Sequence, residues 1–156
     1  MDKREIFNRI EYLTTCISAF GKHFKLSNIE AYNYLRRYKG VDFLIDCYDA
    51  EHTLSIENAV EDLQTLCANN GGKINKIHSN IINKSQDIRF QIECLSADLV
   101  MLLMEEYGWD MKRALDELYT SQTYERLNDP ECGLYFEGPV YIFQFLKNEI
   151  ETGKVA

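Results

Sequence analysis

Apolar positions recur every three or four residues along nearly the whole chain, and no stretch alternates cleanly with a period of two. The pattern predicts helices throughout. Ile6, Ile10, Leu13, Ile17, Phe20 and Phe24 form one stripe and set a first helix. Ser27 followed by Glu30 is a capping box that opens a second helix, running to about Tyr38. Gly40 is expected to break it, and Val41, Leu44, Ile45 and Tyr48 start a short third helix. Ser55 is the expected N-cap of a fourth, with Ala59, Val60, Leu63 and Leu66 turned inward, stopped by 69-NNGG-72.

Residues 73–92 change character. They are rich in Asn and Lys, yet Ile74, Ile77, Ile81, Ile88 and Ile92 keep near-heptad spacing, which suggests a helical connector. A strong helix through Leu95, Leu99, Leu102 and Leu103 ends near Gly108, and Asp110 caps the next, carrying Ala114, Leu115 and Leu118. A turn-rich stretch, 128-NDPECGLYFEGP-139, precedes a last helix in which Gly138 and Pro139 fit the cap and first position. Val140, Phe143, Leu146 and Ile150 run along that helix to Gly153.

The expected fold is therefore all-α: an N-terminal module (1–70), a connector (71–92) and a C-terminal module (93–156), with about seven or eight helices in all. The two halves can be laid over one another at an offset of 83. Ser27 then meets Asp110, Ala31 meets Ala114, Leu35 meets Leu118, Leu44 meets Leu127, Asp46 meets Asp129 and Leu63 meets Leu146. Caps, core positions and helix order keep phase without a gap, as in a tandem pair. The alternative, that any two amphipathic helical stretches can be phased this way, stays open on sequence alone.

Composition narrows the functional classes. With 46% hydrophobic and 27% charged residues the chain is globular, and 156 residues are enough to bury a core without staples. The net charge is −8, and it is lopsided. Residues 79–156 carry 7 Lys/Arg against 14 Asp/Glu, which disfavours nucleic acid and anionic lipid and suits a basic protein partner. Arg36, Arg37 and Lys39 form only a small basic patch. Five widely spaced cysteines, no apolar leader and no long apolar window point to a reduced, cytoplasmic protein.

Chemistry is sparse. The three histidines, His23, His52 and His78, are far apart, so no metal site is expected and no cofactor is called for. The densest cluster is 47-CYDAEHT-53, where Tyr48, Asp49 and His52 can share one helical face. A catalytic use of these three is the weaker reading, since Cys47 falls on another face and no phosphate loop or nucleophile elbow accompanies them. The better expectation is a helix corner in which Tyr48 packs, Asp49 and His52 finish one helix, and Thr53 or Ser55 caps the next. Aromatics are the second signal. The stretch 134-LYFEGPVYIFQF-145 holds more large rings than one buried stripe hides, and Tyr141 and Phe145 are offset from Phe143 and Leu146. Leu134, Tyr135, Phe136, Tyr141 and Phe145 are thus candidate partner contacts, alongside Tyr48, Asp49, His52 and Thr53.

From Ile10 to about Leu66 the chain resembles a family of short uncharacterised bacterial helical proteins. The likeness rests on Leu26-Ser27 with Glu30-Ala31, Tyr38-Lys39-Gly40-Val41, and Tyr48-Asp49-x-x-His52-Thr53. The C-terminal part resembles a second small family through Ser121-x-Thr123-Tyr124 and Leu127-x-Asp129-Pro130-Glu131-x-Gly133-Leu134-Tyr135. Neither family brings an activity. Both look like companions of toxins with an ADP-ribosyltransferase-like fold, here joined in one chain. The resemblance implies a non-catalytic, antitoxin-like protein that binds such a toxin. A self-associating structural or adaptor protein, forming a homo-oligomer, is the competing expectation.

Overall fold

The computed structural model describes residues 1–74 and 86–153. Among these are nine α-helices, one short 3-10 turn and no strand, in agreement with the all-α expectation. The expected connector helix falls mainly on 75–85, outside the described residues, while 86–92 are the opening turns of a long helix. The chain divides into two compact units, Met1–Asn83 and Lys84–Ala156.

The first unit contains α1 (Lys3–Phe24), α2 (Asn28–Arg37), α3 (Gly40–Asp46), the single turn α4 (Tyr48–Glu51) and α5 (Ile56–Asn69). Its caps follow the sequence. Ser27 and Glu30 close a reciprocal capping box, and Ser55 accepts from the Asn58 amide at 3.1 Å. Asp2 also caps α1, accepting from the Glu5 amide at 2.8 Å. Gly40 is not the breaker. The break lies at Tyr38 and Lys39, where Lys39 takes a left-handed φ of 72° and turns the chain into α3. Gly40 is the first residue of α3, pressed so closely on α2 that a Cβ there would meet Leu35 Cδ2 at 2.7 Å and the Leu35 carbonyl oxygen at 3.2 Å.

In this unit α1 packs against α2, α3 and α5, and α3 bridges α2 and α5. Ile10, Leu13, Ile17, Phe20, Leu35, Val41, Leu44 and Leu63 are fully or almost fully buried. Each such aliphatic side chain contributes about 1.5–3 kcal/mol relative to exposure.

The second unit contains α6 (Gln86–Tyr107), α7 (Met111–Tyr119), α8 (Gln122–Leu127), the 3-10 turn Leu134–Phe136 and α9 (Pro139–Thr152). Asp110 caps α7, accepting from the Arg113 amide at 2.8 Å. Helix α8, absent from the sequence expectation, is capped by Ser121, which accepts from the Tyr124 amide at 3.0 Å. Lys147 Nζ donates to Glu106 at 2.7 Å and the Tyr107 hydroxyl donates to Glu151 at 3.2 Å, so the C-terminal ends of α6 and α9 are tied together. Val140 is not a core residue. It is 63% exposed, and Ile142, Phe143 and Leu146 fill the interior instead.

The two units share one fold. Adding 83 to the bounds of α1 gives those of α6, and adding 83 to α5, Ile56–Asn69, gives α9, Pro139–Thr152. Helix α2 moves onto α7 and α3 onto α8 within two residues. The buried positions coincide as well: Cys16 with Leu99, Ile17 with Val100, Phe20 with Leu103, Leu35 with Leu118, Leu44 with Leu127, Ala59 with Ile142 and Leu63 with Leu146. In each unit the long first helix packs on the second and on the last. The left-handed residue that ends the long helix is Lys25 (φ 58°) in one unit and Gly108 (φ 65°) in the other. Coincident bounds, core and packing order are what a tandem repeat requires and what chance phasing of amphipathic stretches does not supply.

Candidate functional site

The corner between α1, α4 and α5 gathers the residues that the sequence singles out. Tyr48 opens α4, and its ring is the hub. The Arg9 guanidinium lies 4.4 Å above it, the Tyr12 ring meets it edge-on at 5.4 Å, and the His52 imidazole stacks on it at 4.4 Å with planes 8° apart. His52 Nδ1 is 2.6 Å from the Tyr48 carbonyl oxygen. A carbonyl only accepts, so Nδ1 carries the proton. Asp49 does not pair with His52 but with Arg9, at 3.0 Å, and Arg9 also reaches Glu5 at 3.3 Å. Thr53 donates to the Ala50 carbonyl at 2.7 Å and so finishes α4, while Ser55 caps α5. Tyr48, Asp49, His52 and Thr53 are thus neighbours, with Asp49 turned to Arg9 and His52 and Thr53 bonded to backbone carbonyls of their own turn.

Three further residues of the corner carry no local sequence signal. Arg9 and Tyr12 come from α1, and Glu51 is only 8% exposed, with its Oε2 buried and without a hydrogen-bond partner. Burial raises the Glu51 carboxyl above the usual carboxylate range, and Asp62 of α5 raises it further. Burial also pushes the Tyr12 phenol up, with Cys16, Glu51 and Tyr48 adding to the effect. Only the packing of α4 onto the other helices reveals this cluster. At the equivalent positions the second unit has Ile92 for Arg9, Leu95 for Tyr12, Leu134 for Glu51 and Phe145 for Asp62.

The second candidate lies in the other unit, between α8 and α9. Gly133 takes a left-handed φ of 70°, the 3-10 turn follows, and Gly138 and Pro139 start α9. Tyr135 is 8% exposed and sits beneath the turn. Leu134 and Phe145 are half-buried. Phe136 and Tyr141 are 74% and 52% exposed, and with Val140 they put three large apolar side chains on the surface within six residues. The rings are braced: Tyr135 and Phe136 lie 4.4 Å apart, and Tyr141 meets Phe145 edge-on at 5.2 Å. Asp129, Glu131 and Glu137 are exposed along the same stretch.

Among the described residues no group of three or more His, Cys, Asp or Glu side chains converges to hold a metal ion. Among them, too, no helix is long and apolar enough to cross a membrane. An open groove of about 490 Å³ lies between α1 and α5, floored by Ala19, Ile56 and Val60 and edged by Lys22, His23, Glu57 and Glu61.

Residues 11–70 match the model of a family described as a protein of unknown function, DUF3791. The matched residues all belong to the first unit, from α1 to the end of α5. Neither a curated protein nor a solved structure matches the chain.

Proposed function

We propose that the protein acts by binding another protein and performs no catalysis, as an antitoxin-like neutraliser of a toxin encoded beside it. The observation that carries this reading is the exposure of Phe136, Val140 and Tyr141 on a stable helical unit. Large apolar side chains left exposed within six residues of one another are the kind of surface that interaction sites use. The state of the Tyr48 corner supports it further. A triad-like site pairs the imidazole with a carboxylate that stabilises its charged form. Here Asp49 is committed to Arg9, and the imidazole lies flat on Tyr48. The toxin as partner, with its ADP-ribosyltransferase-like fold, rests on the resemblance alone.

Co-expression tests the proposal. The gene adjacent to this one is induced in a host cell with and without this chain. Growth restored by the chain is the expected result, and equal toxicity in both cultures overturns the antitoxin reading.

A further inference from the structure

We propose that the exposed side chains of Phe136, Val140 and Tyr141 form the docking surface, and that its occupant is a different protein presenting an apolar stripe rimmed by Lys and Arg. The proposal rests on the protein-binding reading above and specifies its site and partner chemistry.

The repeat supplies an internal control. The two units build the same helices over the same core positions, so a residue that the fold needs should be matched in kind. The face fails that test. Thr53 stands where the second unit has Phe136, Glu57 where it has Val140, Asn58 where it has Tyr141, and Asp62 where it has Phe145. All four first-unit residues are exposed and polar. The fold is therefore complete with polar residues here, and three of the apolar replacements still lie mostly in solvent. Exposed aromatic side chains that the core does not require are the composition of an interface centre.

The residues around these side chains support them from within the unit. Tyr135 pins the turn from below, Pro139 fixes the first turn of α9, and Phe145 braces Tyr141.

Charge selects the occupant. Asp129, Glu131 and Glu137 flank the aromatics, in a half that carries 7 Lys/Arg against 14 Asp/Glu. A second copy placed face to face would oppose these carboxylates with themselves, and like charges across an interface disfavour that pairing. A basic-rimmed partner gains from the same field, both in encounter rate and in register.

The test uses the full chain and a fluorescent synthetic amphipathic helix of Leu and Lys, with a Leu/Glu helix of the same pattern for comparison. Binding is followed by anisotropy for the wild type, Phe136→Ser, Tyr141→Ser and the first-unit control Asn58→Ala. Both serine variants keep the charge and remove exposed side chains, so their thermal melts should match the wild type. The expected result is binding of the Leu/Lys helix that weakens roughly tenfold in either serine variant, the size of an anchor residue. It should be unchanged in Asn58→Ala and weaken with salt, while the Leu/Glu helix stays unbound. Equal binding by wild type and serine variants overturns the surface, and equal binding of both helices overturns the charge argument. A concentration-dependent dimer abolished by Phe136→Ser identifies a second copy as the occupant and overturns the partner. A chain that binds the Leu/Lys helix through Phe136 but fails to restore growth removes the antitoxin reading alone. Growth restored equally by the two serine variants removes the surface alone.

Discussion

The Ser96 hydroxyl oxygen lies 2.9 Å from the Tyr124 hydroxyl in the core of the second unit, where the first unit places Leu13 and Val41. Ser96 donates to the Ile92 carbonyl at 2.6 Å, so Tyr124 donates to Ser96. Two apolar residues have been exchanged for a hydrogen-bonded pair at the same two positions. Removing one partner should cost more than removing the other's hydroxyl. Ser96→Ala leaves the buried phenol without that acceptor and should destabilise the second unit by about 1–3 kcal/mol, whereas Tyr124→Phe removes the stranded donor itself and should cost about 1 kcal/mol. Urea unfolding followed at the second unit checks the order.

Glu149 of α9 stitches α8 in place. Its carboxylate accepts from the Gln122 amide at 2.7 Å, the Thr123 amide at 3.0 Å and the Thr123 hydroxyl at 2.7 Å. These are orphan donors at the start of α8, and an anion there also meets the positive end of the helix. Glu149→Ala should lower the stability of the second unit by about 1–3 kcal/mol, with Glu149→Gln keeping part of it. Thermal melts of the two variants make the comparison.

Glu51 makes the first unit sensitive to pH. Its carboxyl is raised by burial and then by Asp62, so the folded state holds the proton more tightly than the unfolded chain does. The contribution of Glu51 to the stability of the first unit should be complete below the ordinary carboxylate value of about 4.3 and should be lost as pH climbs through the folded value. Glu51→Gln removes that slope and should stabilise the unit at neutral pH by roughly 1 kcal/mol. Urea midpoints measured against pH, with and without the substitution, decide it. A wild type that gains stability over that range would contradict the assignment.

Lys25 occupies the left-handed position at which the second unit has Gly108. A side chain in that conformation costs on the order of 1 kcal/mol that glycine avoids. Lys25→Gly should therefore raise the melting temperature of the first unit, while Gly108→Ala should lower that of the second.

Much of this fold is written in local pattern. The apolar stripe from Ile10 to Phe24, the Ser27–Glu30 box, the Ser55 and Asp110 caps and the Gly138–Pro139 start all act within one or two turns, so they can be read along the chain. Gly40 misleads because its smallness serves close packing against Leu35, while Lys39 supplies the turn. Helix α8 is obscured because two of its first amides, those of Gln122 and Thr123, are capped by Glu149, 26 residues beyond Thr123. The Tyr48 corner shows the same divide. Tyr48 and His52 are one turn apart and legible together, but Arg9 and Tyr12 arrive from another helix. The exposure of Val140 and Tyr141 likewise depends on which face of α9 meets α6.

The central claim, that the protein works through the Phe136–Tyr141 face and not through the Tyr48 corner, meets its most direct test in one growth experiment. The adjacent toxin gene is co-expressed with wild type, with the Phe136→Ser/Tyr141→Ser double variant and with His52→Ala, at matched soluble levels. Rescue by wild type and His52→Ala, with loss of rescue in the double variant, is the predicted result. Rescue that survives the double variant but disappears with His52→Ala would contradict it.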